Sequence, residues 1–184
     1  MTALKQFDLM DDKKTLFIFG GSQGSAAINR CVSDMVNELN DIQVLWQTGT
    51  SHYEQLKHHE TESIRIKPFI DDMKSAYALA DLTLSRAGAL TIAEITVCGL
   101  PSVLIPLPSA AADHQTHNAK ALEEQGAAKM LPESEMGSKN LTVLINNLLN
   151  NEHTLNKMSK SSKAFGKPEA VSVIVDHILE KVGA

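Results

Sequence analysis

The chain has 184 residues, of which 43% are apolar and 21% charged, a composition that is typical of one folded globular domain and excludes a largely disordered chain. Its formal net charge of -5 at pH 7 gives no electrostatic reason to expect a nucleic acid as partner. The sequence contains no apolar run of the roughly 20 residues that a membrane-spanning helix needs, and no N-terminal signal peptide. Cys31 and Cys98 both lie among apolar residues, which predicts reduced thiols and a cytoplasmic location.

Predicted strands and helices alternate along the chain. Short apolar runs with β-branched and aromatic residues predict buried strands, and these cover residues 15–19, 42–47, 63–69, 82–85 and 102–105. Apolar residues at helical spacing predict helices, which cover residues 25–39, 74–80, 90–98, 115–125, 139–149, 153–165 and 169–182. This alternation predicts an α/β fold with a doubly wound, mostly parallel sheet and helices on both faces. In such sheets ligands bind beyond the carboxyl ends of the strands.

The first strand is followed by a glycine-rich loop, residues 20–25, that leads into a helix. Glycines let a ligand approach the backbone closely, and a helix start offers unpaired N–H groups to an anion, so a diphosphate is the natural ligand. The hydroxyl of Ser22 has the chemistry to donate a hydrogen bond to the same group. Because the loop lacks both the Walker A ending and the GxGxxG spacing, an NAD-dependent dehydrogenase is disfavoured. A tight glycine turn without a ligand is the alternative interpretation.

The strand that ends at residue 85 leads into another helix. Gly88 permits the turn, and the N–H groups of Ala89, Leu90 and Thr91 are free at the helix start. Glu94 lies about one turn further along the same face, where a carboxylate can accept two hydrogen bonds from a ribose diol. A capping arrangement or a solvated helix face is the alternative for Glu94.

Two other side chains near these strand ends need an interpretation. Arg86 has two equally open partners, a ligand phosphate or a nearby carboxylate such as Asp81. Trp46 lies within an apolar strand and is interpreted as a packing residue rather than a recognition residue.

A third loop follows the last predicted strand and contains two prolines before a helix start. Asp113, His114 and Gln115 stand at that helix start, where their polar side chains have the chemistry to contact sugar hydroxyls. Asp113 has a more ordinary alternative as the N-cap of the helix. A metal site built from Asp113, His114 and His117 is a further alternative, but it lacks an obvious additional ligand.

In this order the loops resemble the MurG family, the UDP-GlcNAc transferases that make lipid II from lipid I in peptidoglycan synthesis. The matching motifs are Gly-Gly-Ser-Gln-Gly at 20–24, Phe-Ile-Asp-Asp-Met at 69–73, Arg-Ala-Gly-Ala-Leu-Thr at 86–91 with Glu94, Gly-Leu-Pro at 99–101, and Asp-His-Gln at 113–115 with Asn-Ala at 118–119. The resemblance runs from about residue 15 to the C-terminus. It implies that the chain is one Rossmann-like half of a GT-B glycosyltransferase, the half that binds UDP-GlcNAc.

The resemblance implies a substrate-binding role for each matching position. These positions are Gly21, Ser22, Gln23, Gly24, Phe69, Ile70, Met73, Arg86, Gly88, Ala89, Leu90, Thr91, Glu94, His114 and Gln115. The glycine loop with Ser22 and the helix start at residues 89–91 are implied to face the diphosphate, and Glu94 is implied to hold the ribose hydroxyls. No metal and no cofactor besides the donor substrate are expected.

The remaining implied contacts involve the base and the sugar. The backbone at Ile70 is implied to read the uracil edge, with Phe69 and Met73 packing around the base. Gln115 and His114 are implied to contact GlcNAc hydroxyls. The family often has a second glutamine where this chain has His114, so that contact departs from the usual pattern.

The resemblance also implies a second domain that this sequence does not contain. Members of the family begin with an α/β domain that carries the lipid I acceptor site and the expected general base. Residues 1–14 resemble the chain just after the interdomain linker, so we expect one UDP-sugar-binding domain over residues 1–184. Such a half would be inactive alone, or would work with a partner subunit as in the eukaryotic transferase that makes chitobiosyl dolichol diphosphate. The whole enzyme would be peripheral on the cytoplasmic face of the bacterial plasma membrane.

Other functions remain open from the residues alone. A different UDP-sugar enzyme of the same architecture, such as a UDP-GlcNAc 2-epimerase, needs the same phosphate-facing loops. A non-catalytic or partner-dependent nucleotide-sugar-binding subunit needs them too. These possibilities differ from the transferase in their donor preference and in their chemistry.

Overall fold

The computed structural model describes residues 3–39 and 41–183, and within them six strands form one sheet. The strands are β1 Lys14–Phe19, β2 Ile42–Gln47, β3 Ile64–Lys67, β4 Leu82–Ser85, β5 Ser102–Leu104 and β6 Ala128–Met130. The helices are α1 Ala3–Gln6, α2 Ala26–Ser33, α3 Thr50–Leu56, α4 Met73–Leu79, α5 Ala89–Cys98, α6 His114–Glu124, α7 Ser138–Leu149, α8 Glu152–Phe165 and α9 Ala170–Val182.

The strand order across the sheet is β3-β2-β1-β4-β5-β6, and every neighbouring pair is parallel. This is the order of a doubly wound Rossmann sheet, so the predicted fold class is confirmed. The order reverses between β1 and β4, which lie side by side although β2 and β3 come between them in the chain. A crevice at such a reversal is where ligands bind in open α/β sheets.

Both faces of the sheet are covered by helices. Leu16 and Ile18 of β1 belong to a core with residues of α2 and α7, whereas Phe17 and Phe19 belong to a second core with residues of α4, α5 and α6. Because successive side chains of a strand point to opposite faces, a strand buried on both sides shows no polar alternation. This burial explains the continuous apolar run of β1. Trp46 is fully buried in the first core, which confirms its interpretation as a packing residue.

Some elements differ from the sequence-based expectation. The helix predicted over 25–39 ends at Ser33 and is followed by a separate 3-10 turn, Val36–Glu38. Two elements were not predicted from the sequence: α3, which lies in the polar segment after β2, and β6. In the segment before β1, Phe7 and Leu9 are buried in the second core.

The last helix, α9, presents an apolar face that no other described residue covers. All of its described residues are exposed, including Val171, Ile174, Ile178 and Val182, which share one side of the helix at helical spacing. Across residues 3–39 and 41–183, length and hydropathy together leave no helix capable of spanning a bilayer.

Candidate functional site

The three loops singled out in the sequence emerge at one edge of the sheet. Phe19 pairs with Ser85, and Ser85 pairs with Leu104, so the carboxyl ends of β1, β4 and β5 are in register. The loops that follow these ends therefore border the same crevice. Because α2 packs on one face and α5 on the other, the crevice has a helix start on each side. This is the geometry in which helix N-termini bind phosphates.

The glycine loop is shaped by both turn geometry and close packing. Gly21 and Gly24 have φ angles of +90° and +76°, and the Gly24 N–H donates to the Gly21 carbonyl at 3.0 Å. A side chain at Gly24 would collide with the Thr48 carbonyl, whereas one at Gly21 would meet open space. Ser22 and Gln23 are exposed at the tip of the turn. Gly24 thus serves packing, while Gly21, Ser22 and Gln23 form the part of the turn that no side-chain packing closes off.

The start of α5 is open to an anion. Gly88 is its N-cap residue, and no described side chain caps this helix start. The first-turn N–H groups of Ala89, Leu90 and Thr91 therefore lack a capping side chain. An anion placed at this end of α5 would interact favourably with those N–H groups and with the helix dipole.

Glu94 does not cap α5, so that alternative is wrong, and it is half-buried on a face of the helix where it has a specific partner. Its Oε2 accepts a hydrogen bond of 2.8 Å from the hydroxyl of Tyr77, a buried residue of α4. Burial and the nearby carboxylate raise the pKa of Tyr77, so the phenol remains a hydrogen-bond donor at neutral pH. The phenol fixes the orientation of the Glu94 carboxylate.

A cavity of about 410 Å³ lies beside this pair. Met73, Tyr77 and Glu94 line it from α4 and α5, and Pro168 and Val171 line it from the C-terminal segment. This cavity brings together Met73 and Glu94, to which the family resemblance assigns contacts with the base and the ribose. Phe69 lies in the loop just before α4 and is 47% exposed.

The loop before α4 is tied to the sheet by a buried glutamine. The N–H of Ile70 donates to Oε1 of Gln47 at 2.8 Å, and the Ile70 side chain is buried in the second core. The Ile70 N–H is thus already bonded in this structure. A base edge that approached Ile70 from the crevice would therefore meet its carbonyl group rather than its N–H.

Arg86 pairs with a carboxylate, as one of its two alternatives held, but the carboxylate is Glu133 and not Asp81. Its guanidinium forms an ion pair of 2.5 Å with Glu133 and donates to Oγ of Ser25, the N-cap residue of α2, at 2.8 Å. It also donates to the carbonyls of Ile105 and Pro106. The pairing with Asp81 is wrong, because Asp81 binds Lys14 at the opposite end of the sheet. Arg86 therefore connects the start of α2 to the loops after β5 and β6.

The start of α6 braces the turn before α5. Oε1 of Gln115 accepts hydrogen bonds from the N–H groups of Ala87 and Leu107, and Nδ2 of Asn118 donates to the Ala87 carbonyl. Both peptide groups of Ala87 are therefore held by α6 side chains. Because the Gln115 carbonyl oxygen already accepts two hydrogen bonds, a ligand contact from this side chain would come from its amide N–H groups.

Asp113 and His114 lie in an unusual backbone segment just before Gln115. Ala112 and Asp113 both have positive φ angles, 49° and 53°, which L residues rarely adopt. Asp113 is the N-cap residue of α6, as the alternative predicted, but its carboxylate accepts a hydrogen bond from the Thr116 hydroxyl rather than from a helix N–H. His114 is exposed, with Nδ1 2.8 Å from the Ala111 carbonyl oxygen.

The metal alternative for this segment is not supported by the side-chain arrangement. Among the residues that the structure describes, no group of three or more histidine, cysteine, aspartate or glutamate side chains lies close enough to hold a metal ion. Asp113, His114 and His117 therefore do not converge on a common point.

Comparison with known proteins places the chain in a family. Residues 15–174 match the family described as Glycosyltransferase family 28 C-terminal domain. The chain belongs to this family. A curated relative in Desulforamulus reducens, the UDP-N-acetylglucosamine–N-acetylmuramyl-(pentapeptide) pyrophosphoryl-undecaprenol N-acetylglucosamine transferase, is 43% identical over 95% of this chain and 50% of its own length. The chain spans about half the length of the curated relatives it matches.

Solved structures agree with this assignment. The crystal structure of Acinetobacter baumannii MurG matches 98% of this chain and 53% of its own chain, with a TM-score of 0.85 and 33% identity. The resemblance to the MurG family is thus confirmed. A UDP-GlcNAc 2-epimerase from Neisseria meningitidis, solved bound to UDP-GlcNAc, has a TM-score of 0.66 at 12% identity over 97% of the chain, which shows a shared fold alone.

Four residues of this family 28 domain shape the site without having been assigned a role from the sequence. Gln47, Tyr77 and Glu133 each bond a residue of a predicted loop, and Asn118 was noticed only as part of a motif. Because their partners are distant in the chain, no local sequence pattern predicts these hydrogen bonds and this ion pair. The one available signal is a polar residue at the end of an apolar strand, as at Gln47.

Removal of the Asn118 amide is expected to destabilise the family 28 domain moderately. In Asn118→Ala the carbonyl of Ala87, a buried residue, loses its side-chain donor, and an unsatisfied buried carbonyl costs about 1–2 kcal/mol. Urea unfolding measures this cost. His117→Ala on the same helix is the control, because His117 is exposed and its loss should change the free energy of unfolding by less than about 0.5 kcal/mol. Equal losses of unfolding free energy in the two variants would contradict a stabilising role for the Asn118–Ala87 hydrogen bond.

Proposed function

We propose that this chain is the UDP-GlcNAc-binding half of an inverting glycosyltransferase that transfers GlcNAc to lipid I to make lipid II. The observation that carries the proposal is that two helix starts and a glycine turn border one edge of the sheet, with the Glu94–Tyr77 pair further along α5. The family supports the reaction class, and the printed name of the curated relatives supports the donor and the acceptor.

The diphosphate would lie in the crevice between the starts of α2 and α5. Negative charge grows on the leaving UDP during transfer, and pre-aimed N–H donors stabilise that charge without requiring a metal. The uncapped first turn of α5 supplies such donors. A missing donor of this kind typically costs about 3 kcal/mol in the transition state.

The uridine would lie between the loop before α4 and the cavity beside Glu94. A carboxylate oriented by a buried phenol has little freedom left to lose when it accepts hydrogen bonds from a ribose diol. Met73 lines this cavity and Phe69 is exposed in the loop just before α4, so both would cover an aromatic base. His114 and the amide N–H groups of Gln115 would contact the sugar.

The rest of the proposed reaction lies outside this domain. The curated relatives are about twice as long as this chain, which supports a second domain or a partner subunit that binds lipid I and supplies the general base. The lipid acceptor would bring the whole enzyme to the cytoplasmic face of the bacterial plasma membrane as a peripheral protein.

Glu94→Ala is expected to weaken UDP binding about tenfold to a hundredfold, because the substitution removes charged hydrogen-bond acceptors worth roughly 1.5–3 kcal/mol. Isothermal titration of the purified chain with UDP and with 2′-deoxy-UDP tests the ribose assignment. The wild-type chain should prefer UDP, and Glu94→Ala should lose that preference. Tyr77→Phe is the control, since it keeps the carboxylate while removing the phenol hydroxyl. Unchanged UDP affinity in Glu94→Ala would contradict the proposed ribose site.

The same titration separates this chain from enzymes that use other UDP-sugars, whereas a UDP-GlcNAc 2-epimerase shares the nucleotide sugar and differs in its chemistry. UDP-GlcNAc that binds more tightly than UDP-glucose or UDP-galactose supports a GlcNAc donor. No heat with any uridine nucleotide would instead favour a domain that only recruits a partner.

A further inference from the structure

Gln47 connects two loops of the proposed site through its side-chain amide. It is the last residue of β2 and is 3% exposed. Its Oε1 accepts from the Ile70 N–H at 2.8 Å, and its Nε2 donates to the Gly21 carbonyl at 3.1 Å. One buried amide therefore joins the glycine turn to the loop that precedes α4.

We infer that Gln47 is a positioning residue that couples occupancy of the diphosphate end of the crevice to the backbone of the base-side loop. This inference rests on the proposed function, because it names how two parts of the same ligand site communicate. Gln47 itself need not touch the ligand, since it acts through the peptide groups of Gly21 and Ile70.

The chemistry of the amide fixes the direction of the connection. A flipped Gln47 side chain would place its NH₂ group against the Ile70 N–H and its oxygen against the Gly21 carbonyl. A buried polar group left without a partner costs free energy, so the observed orientation of the Gln47 amide is more stable than the flipped one. A shift of the Gly21 peptide therefore changes the hydrogen bond at Ile70.

The surroundings of Gln47 make the connection stiff. The N–H of Thr48 donates to the Lys67 carbonyl at 3.0 Å, and the Thr48 carbonyl accepts from Nδ2 of Asn29 at 2.8 Å. The Thr48 carbonyl also stands where a side chain at Gly24 would lie. The end of β2 is thus held against the glycine turn, and the Gln47 side chain has little room to absorb a displacement.

The test uses ligands that occupy only one end of the crevice. Inorganic pyrophosphate contains no base, so any response at Ile70 must be transmitted through the protein. In amide-resolved NMR spectra, pyrophosphate should shift the resonances of residues 21–24 and of Ile70 in the wild-type chain. In Gln47→Leu the shifts of residues 21–24 should persist and the Ile70 shift should be lost. If Gln47→Leu does not fold, Gln47→Met provides the same test with a flexible side chain.

Gln43→Leu is the matched control. Gln43 lies on the same strand, is fully buried, and also bonds at both ends, to Met10 and Thr15, at the opposite edge of the sheet. Its loss should lower stability but leave the Ile70 response intact, which separates coupling from a general loss of structure. We also expect UDP affinity to fall about tenfold in Gln47→Leu, because UDP needs both loops, while pyrophosphate affinity changes by less than about threefold.

The outcomes distinguish this inference from the proposed function. An Ile70 shift that survives in Gln47→Leu, or that is absent from the wild-type chain while residues 21–24 respond, overturns the coupling. If neither pyrophosphate nor UDP binds, the proposed function fails and the coupling fails with it, and hydrogen exchange of the Ile70 N–H then tests the structural link alone. Protection lost in Gln47→Leu and kept in Gln43→Leu shows that Gln47 holds the base-side loop, and equal exchange in the two variants overturns that role.

Discussion

Gly24→Ala is expected to lower the free energy of unfolding by about 3 kcal/mol or more. A φ of +76° costs an L residue about 1–2 kcal/mol, and overpacking a tight contact adds about 1–3 kcal/mol. The new Cβ would collide with the Thr48 carbonyl, which is backbone and cannot rotate away. The Thr48 backbone is also hydrogen-bonded to Asn29 and Lys67, so it cannot move away from the new Cβ without breaking those bonds.

Gly21→Ala is the matched comparison within the same turn. Gly21 has a similar positive φ of +90°, but a Cβ there meets nothing within 4 Å. It should therefore show only the backbone cost of about 1–2 kcal/mol. Urea unfolding of the three proteins measures both effects, and an unchanged m value would show that stability alone has changed. Equal losses at Gly21 and Gly24 would contradict the packing role of Gly24.

The difference between Gly21 and Gly24 is a feature that the sequence alone does not predict. The spacing of the loop predicts a turn at the end of a strand, and both glycines fit that prediction. Which glycine is needed for packing depends on Thr48, which reaches the loop only when β2 lies next to β1. That contact is tertiary, so the motif alone does not reveal it.

The fold itself was largely predictable because its strands are buried on both faces. The runs in β1 and β2 contain almost no polar alternation, and the structure places them within about one residue of the predicted bounds. The missed elements lack such a pattern. In β6 only Ala128 is buried, and in α3 only Leu56 is buried, so neither has apolar periodicity that would identify it.

The site was predictable as a set of loops but not as a set of side-chain partners. Arg86 illustrates the reason, since Asp81 is close to it in sequence. Asp81 precedes β4 and Arg86 follows it, so a four-residue strand of roughly 13 Å separates the two side chains. Glu133, the true partner, comes from the 3-10 turn after β6, an element with no sequence signal.

Arg86→Met is expected to destabilise the domain by about 3–5 kcal/mol. The guanidinium side chain is only 11% exposed, and its loss leaves the partly buried Glu133 carboxylate without its cation, a change that typically costs this much. The carbonyls of Ile105 and Pro106 lose their donor as well. Arg86→Lys should recover little of the loss, because one ammonium group cannot reproduce the forked geometry of a guanidinium.

A double-mutant cycle with Glu133→Gln isolates the ion pair from the other contacts of Arg86. Glu133→Gln in the wild-type background removes the negative charge and should lower stability, but in the Arg86→Met background it removes an unpaired, partly buried charge and should restore some stability. This change of sign is the signature of direct pairing. Two losses that simply add would contradict it.

The same variants decide whether Arg86 serves the ligand or the protein. The guanidinium is held by the Glu133 carboxylate, the Ser25 hydroxyl and two backbone carbonyls, and its contact to Ser25 fixes the start of α2. Folded Arg86→Met should therefore bind UDP less than about tenfold more weakly than the wild-type chain, a change of under 1.4 kcal/mol and far smaller than its stability loss. A loss of affinity near a hundredfold, measured where the variant is fully folded, would instead mean that the guanidinium leaves Glu133 to meet a phosphate when the ligand binds.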